Sequence, residues 1–374
     1  MSTVKRVLAV LSSVILVGAV GVTTGVAVVS AAPAPFPALP IPEIPGITAA
    51  PTMVEKDITF ESGGHTYHGT YRGPADPSVS PEAAALLLPG SGPTDRNGVA
   101  GMYRASTIAH LADALAARGV ATLRFDKYGT GQTGTAGPLE QAMTEYGFER
   151  QVDDASAALA TLAKLAGTDA AHTTVLGHSE GSLTALAVRE RHPDDLAGLG
   201  LLQPLPMRYL DLFRAQIHAL VDRSVGSGQM EQAEGEDVRV SLEQTIDSLR
   251  SAGTVPEHQH PMLLELGMSP VNARFFSEAD KYDPRELAAE LPESSHNLLS
   301  CSDKDLNVSC EQVEGLRLAL EHTDLDFVHM TTTNHGLGEL GPVPPSQFDA
   351  VLPLPLSSEF TNGLNTWVDG ILAP

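Results

Sequence analysis

Thr174-Val175-Leu176-Gly177-His178-Ser179-Glu180-Gly181-Ser182-Leu183 reads as a short apolar strand, a Gly-x-Ser-x-Gly pentapeptide and the start of an apolar-periodic helix. A serine can occupy a sharp strand-to-helix turn only where the residues two places to either side are small, because the backbone is strained there and the flanking chains approach closely. Gly177 and Gly181 meet that requirement. Such an elbow holds the Ser179 hydroxyl clear of a sheet and at the amino end of a helix, where unpaired N–H groups and the helix dipole favour developing negative charge. Three fixed positions recur by chance in a chain with 34 glycines, so the surrounding sequence has to decide.

Working outward, strands and helices alternate. Strands are expected at 84–88, 120–125, 173–176 and 199–202, with helices at 103–118, 148–165 and 182–191 between and after them. Ahead of them, 54–60 and 66–72 form two alternating segments joined through Ser62-Gly63-Gly64, the signature of a hairpin. This rhythm predicts an α/β fold with a mostly parallel central sheet and helices on both faces. It breaks at 205–292, which is helical, acidic and without a buried strand, and which reads as a helical cap inserted between two core strands. The core resumes with a strand at 297–300, a helix at 311–321, a strand at 326–330 and a closing helix at 358–372. The expected division is therefore a core of 52–204 and 293–374 and a cap of 205–292.

The amino-terminal part has its own signals. Lys5 and Arg6 precede an uncharged apolar run from 7 to 29, followed by Ser30-Ala31-Ala32, which predicts a secretory signal over 1–32. The run also approaches spanning length, so an uncleaved membrane anchor is the alternative, and membrane contact is expected only in that case. Residues 33–51 are rich in Pro and Ala and read as an extended tether. The expected location is accordingly secreted or cell envelope. A formal net charge of −23 disfavours nucleic acid as a partner. Cys301 and Cys310 are the only cysteines and lie close together. In an oxidising compartment they would pair as a disulfide, and otherwise they would be two reduced, buried thiols.

A serine nucleophile needs an imidazole to take its proton, and the imidazole needs an acid to set its tautomer and stabilise its charge. Ser300-Cys301-Ser302-Asp303-Lys304-Asp305 runs from an apolar strand into an acidic loop, the place for that acid. Asp305 is the expected residue and Asp303 the fallback. His335 follows the last predicted strand in Thr333-Asn334-His335-Gly336 and is the expected base. The order Ser179, Asp305, His335 is the hydrolase order. Two N–H donors are needed for the oxyanion: the Glu180 amide, directly after the serine, and the Ser91 amide in Pro89-Gly90-Ser91-Gly92-Pro93, after strand 84–88. Only the amide of Glu180 is given a role, its side chain being expected to face away. His178 is read as the variable elbow position. His258 and His260 lack accompanying ligand spacing, so no metal is inferred, and no cofactor is expected.

Together these residues resemble the α/β-hydrolase superfamily, and within it the bacterial esterase and serine-aminopeptidase-like group. Leu88-Pro89-Gly90-Ser91-Gly92-Pro93-Thr94-Asp95-Arg96-Asn97-Gly98, Arg124-Phe125-Asp126-Lys127-Tyr128-Gly129-Thr130-Gly131, the elbow and Tyr282-Asp283-Pro284 carry the resemblance. Arg124 and Asp126 are expected to hold the loop beside the site. The resemblance implies an α/β-hydrolase fold and hydrolysis of a small-molecule carboxylic ester through an acyl-enzyme. A serine aminopeptidase-like peptidase and a non-catalytic cell-envelope binding protein on the same fold are the alternatives.

Overall fold

The structure, a computed structural model, describes residues 51–101, 103–346 and 348–373. The expected leader, and the expected tether apart from Pro51, lie outside the described residues.

The first described elements are a hairpin of β1 (Met53–Ser62) and β2 (His65–Pro74). Its two-residue turn puts Gly63 and Gly64 at φ +48° and +77°, the left-handed conformations such a hairpin requires. Then come β3 (Ala83–Leu88), α1 (Thr107–Ala116), β4 (Val120–Phe125), α2 (Leu139–Glu145) and α3 (Phe148–Ala166). β5 (Thr173–His178), α4 (Glu180–Arg191) and β6 (Gly198–Leu202) complete the first half. Five helices follow: α5 (Tyr209–Gly226), α6 (Gln232–Ala252), α7 (Pro261–Glu265), α8 (Ala273–Ala279) and α9 (Pro284–Ala289). The last elements are β7 (His296–Ser302), α10 (Cys310–Leu320), β8 (Asp324–Met330) and α11 (Ser358–Leu372).

The eight strands form one sheet in the order β1-β2-β4-β3-β5-β6-β7-β8. β1 and β2 pair antiparallel with each other, as do β2 and β4, and all pairings from β4 to β8 are parallel. β3, β4, β5 and β6 are buried at every position, as strands covered on both faces must be. The period-two geometry of β3 sends Leu86 and Leu88 to one face, against Phe148 and Val152 of α3, and Ala85 and Leu87 to the other, against Ile108 and Leu111 of α1. α11 covers that second face with Phe360, Leu364 and Trp367, all at most 1% exposed. Each fully buried Leu or Phe contributes roughly 1.5–3 kcal/mol.

Chain order reverses at β3, which has β4 on one side and β5 on the other. Open α/β sheets bind ligands at the carboxyl ends of strands beside such a switch point. The loop after β3 carries Gly90 and Ser91, and β5 runs directly into Ser179.

Between β6 and β7 the described residues contain helices and no strand. α6 buries Val238, Leu242, Ile246 and Leu249 at helical spacing and stops at Gly253, φ +68°, a left-handed C-terminal cap. Asp280 holds this segment together from inside. It is 2% exposed and accepts hydrogen bonds from Arg208 Nη2, Arg250 Nε and the Leu210 amide, each at 2.8 Å.

Candidate active site

Ser179 has φ 54° and ψ −121°, a conformation a non-glycine residue adopts only under strain imposed by its surroundings. The surroundings here are close-packed backbone. A Cβ on Gly177 would lie 2.1 Å from the Gly181 carbonyl oxygen, and one on Gly181 would lie 2.5 Å from that of Leu88. The two glycines thus let the turn fold back on itself and press against β3. The Ser179 amide donates to the Leu202 carbonyl at 2.9 Å, and the Ser182 hydroxyl donates to the Ser179 carbonyl at 2.6 Å, so the strained residue is held on both sides.

His335 and Asp305 meet across loops that follow β8 and β7. His335 Nδ1 is 2.7 Å from Asp305 Oδ2. A carboxylate can only accept, so Nδ1 carries the proton and Nε2 is left as the basic nitrogen. Asp305 Oδ1 accepts from the amides of Asn307 and Val308 at 2.7 and 3.0 Å, which orients the carboxylate toward the imidazole. The Asp305 side chain is fully buried, and that of His335 is 17% exposed. Asp303, the other candidate acid, lies on the surface and pairs with His329 Nε2 at 2.7 Å. Cys301 and Cys310 form a disulfide that closes the loop carrying Asp305.

Ser179, His335, Ser91 and Glu180 line one pocket. Its floor is the β3 loop and the elbow, and its walls include Ile108 of α1, Leu205, Tyr209, Leu212 and Phe213 at the start of the inserted helices, and Val308. Among the described residues no hydrogen bond joins the Ser179 hydroxyl to His335. Such contacts are often long in ligand-free sites and tighten when substrate binds.

Several residues in this site were read differently from sequence. His178 Nε2 donates to the His335 carbonyl at 2.7 Å, so the variable elbow position anchors the loop of the candidate base. Burial, with the neighbouring His335 second, brings the His178 pKa from its ordinary 6.5 to about 3, and the ring is neutral. The Glu180 side chain has buried contacts of its own. It is 4% exposed in the pocket wall, accepting from Tyr209 Oη at 2.7 Å and Gln151 Nε2 at 3.2 Å. Tyr209 belongs to α5, so this bond ties the inserted helices to the elbow. Tyr103 lines the same pocket, and burial pushes its hydroxyl up to about 12, keeping it neutral. His260 is half-buried, and its Nδ1 accepts from the Met262 amide at 3.3 Å at the start of α7. The side-chain roles of Tyr103, His178 and Glu180 carry no sequence signal, because they arise from segments that meet only in the folded chain.

Arg124 and Asp126 organise the loops beneath the pocket. Burial alone would raise the Asp126 carboxyl, but the Arg96 guanidinium and the amides of Arg96 and Gln132 hold it below the ordinary range. Arg124 donates to Asn97 Oδ1 at 3.1 Å and to Glu55 Oε1 at 2.9 Å. The one cluster among the described residues with metal-like proximity is Cys301, Cys310 and His329, and its two sulfurs are committed to the disulfide.

Residues 100–251 match the model of the serine aminopeptidase family S33. Among solved structures, the chain is similar to an esterase of Pyrococcus furiosus, at 13% identity over 86% of this chain and 92% of the other, with a TM-score of 0.51. It is similar to a thermostable carboxyl esterase of Bacillus coagulans at 14% identity over 86% and 100%, TM-score 0.51. It is also similar to the proline iminopeptidase of Mycobacterium smegmatis at 14% identity over 85% and 99%, TM-score 0.51. No curated protein sequence matches the chain. Sheet order, elbow and these likenesses give the chain the α/β-hydrolase fold. Within that class it resembles an esterase-like and serine-aminopeptidase-like group.

Proposed function

We propose that the protein is an exported serine hydrolase that cleaves carboxylic esters through an acyl-enzyme. Ser179 Oγ attacks the ester carbonyl carbon while His335 Nε2 takes its proton, and Asp305 stabilises the imidazolium. The oxyanion of the tetrahedral intermediate accepts hydrogen bonds from the amides of Ser91 and Glu180. Collapse breaks the bond to the alkoxy group, which leaves as the alcohol with the proton from His335. Water, activated by the same imidazole, then attacks the acyl-enzyme and releases the acid. The observation that carries this reading is His335, held at 2.7 Å by Asp305 and lining one pocket with Ser179.

Apolar side chains around the pocket suit an acyl group, and the helical segment 205–292 acts in this reading as a cap over it. A peptidase acting on amino termini draws support from the family match over 100–251. Such an enzyme needs an available carboxylate for the substrate ammonium. Glu180, the carboxylate among the lining residues, has both oxygens engaged by Gln151 and Tyr209, which favours the ester reading. Export rests on the sequence of 1–32. Comparing p-nitrophenyl acyl esters with aminoacyl p-nitroanilides on purified protein tests the choice. Faster turnover of esters is expected, and hydrolysis confined to the anilides would reverse the assignment.

A further inference from the structure

Lys127 is a buried lysine in the first turn after β4, 9% exposed, with no carboxylate within 4 Å among the described residues. Burying an ammonium without an ion-pair partner is costly, so its contacts call for an explanation. Nζ donates to the Gly90 carbonyl oxygen at 2.7 Å. Burial pulls the ammonium below the ordinary lysine range, and the Glu180 carboxylate acts against that shift and favours the charged form. Gly90 lies against the nucleophile, since a Cβ there would be 3.1 Å from Ser179 Cβ.

The peptide joining Gly90 to Ser91 is trans, as are all described peptide bonds. In a trans peptide the C=O and N–H point in opposite directions, so the atom that fixes one fixes the other. With the Gly90 carbonyl held by Lys127, the Ser91 N–H is turned to the side opposite Lys127. Pro89-Gly90-Ser91-Gly92 has two glycines, and Gly92 already sits at φ +83°, so this loop has the freedom to flip a peptide plane. The flipped plane would bring the N–H toward the ammonium, a donor facing a donor. Lys127 therefore distinguishes between the two orientations.

We propose that Lys127 is a positioning residue that holds the Gly90–Ser91 peptide with its N–H directed at the oxyanion site, so that the hole stands formed before substrate arrives. The proposal rests on the reading of the Ser91 amide as an oxyanion donor. Its support runs through both loops: Asp126 ties the β4 turn to the β3 loop through Arg96, and Glu180, whose own amide is the other donor, supplies the opposing charge.

The test is Lys127→Met, which keeps the length of the side chain and removes the donor. Two rates are read, ester turnover and inactivation by a fluorophosphonate, which forms a similarly charged oxyanion on the serine regardless of the natural substrate. Loss of a full oxyanion donor costs on the order of a hundred- to a thousandfold. A misdirected donor should cost on the order of ten- to a hundredfold in kcat and in the inactivation rate, with KM within about threefold of wild type. A purely structural role would instead lower Tm and move KM and kcat together. Should Lys127→Met not fold because Glu180 is left unopposed, Lys127→Met/Glu180→Gln is compared with Glu180→Gln as its parent, with the same loss expected. Unchanged kcat and inactivation rate in a folded variant overturn the proposal while leaving the proposed function standing. A wild-type protein that the fluorophosphonate does not label defeats both.

Discussion

The strain at Ser179 has a use only if the neighbouring groups are held as tightly, and His335 is held from three directions. His178 donates to its carbonyl, Thr107 Oγ1 donates to the next carbonyl, Gly336, at 2.8 Å, and Asp305 fixes the ring. In the proposed mechanism Asp305→Asn leaves the fold intact but favours the wrong tautomer, so kcat should fall on the order of a thousandfold or more. Asp303→Asn, which removes only a surface contact to His329, should stay within a few-fold of wild type in the same assay. The reverse outcome would move the acid to Asp303. His178 predicts a pH effect on stability. Its pKa is about 3 in the folded chain against an ordinary 6.5, so the unfolded chain takes up a proton first on acidification. Its contribution is complete above about pH 6.5 and is lost as pH falls toward 3, at up to about 1.4 kcal/mol per pH unit. Urea midpoints of wild type and His178→Gln, measured from pH 7 to pH 4, should converge as the pH drops. Parallel curves would mean that His178 is not the group responsible.

At the scale of elements, the disulfide is the device that shapes the Asp305 loop. Cys301 ends within β7 and Cys310 begins α10, a sequence separation of 9. Closing a loop of that size stabilises by roughly 2.5 kcal/mol in the chain-entropy model. Cys301→Ser/Cys310→Ser should therefore lower Tm by several degrees and reduce kcat as well, because Asp305 would no longer hold His335 in one orientation. A Tm loss with kcat unchanged would make the bridge a stabiliser of the fold alone. Which elements were legible beforehand follows from burial. β3 to β5 read as apolar runs because both of their faces are covered, and α11 read as a helix because Phe360, Leu364, Trp367 and Ile371 recur on one face. α2 had no such signal, since Ala142 is its one buried residue. The strand over 297–300 extends to His296 and Ser302, where pairing with β8 continues beyond the apolar stretch. In the site, the proposed nucleophile, base and acid stand in motifs with a recognisable order. Lys127, His178 and Glu180 lie within quoted motifs too, but their side-chain contacts were not legible there, because each reaches a backbone or side chain distant in sequence.

Across the whole molecule, the sheet gathers residues from positions 91, 179, 305 and 335 at the carboxyl ends of its strands, beside the reversal of strand order. Among the described residues no helix is long and apolar enough to cross a membrane. A net charge of −23 disfavours polyanionic partners, and in the proposed reading a small, partly apolar ester occupies the pocket. The central claim, that Ser179 is a nucleophile activated by His335, is tested most directly by treating the purified protein with a fluorophosphonate and mapping the adduct by peptide mass spectrometry. The account predicts a single adduct on Ser179 that disappears in the folded His335→Ala variant. No adduct, an adduct on another residue, or equally fast labelling without His335 would contradict it.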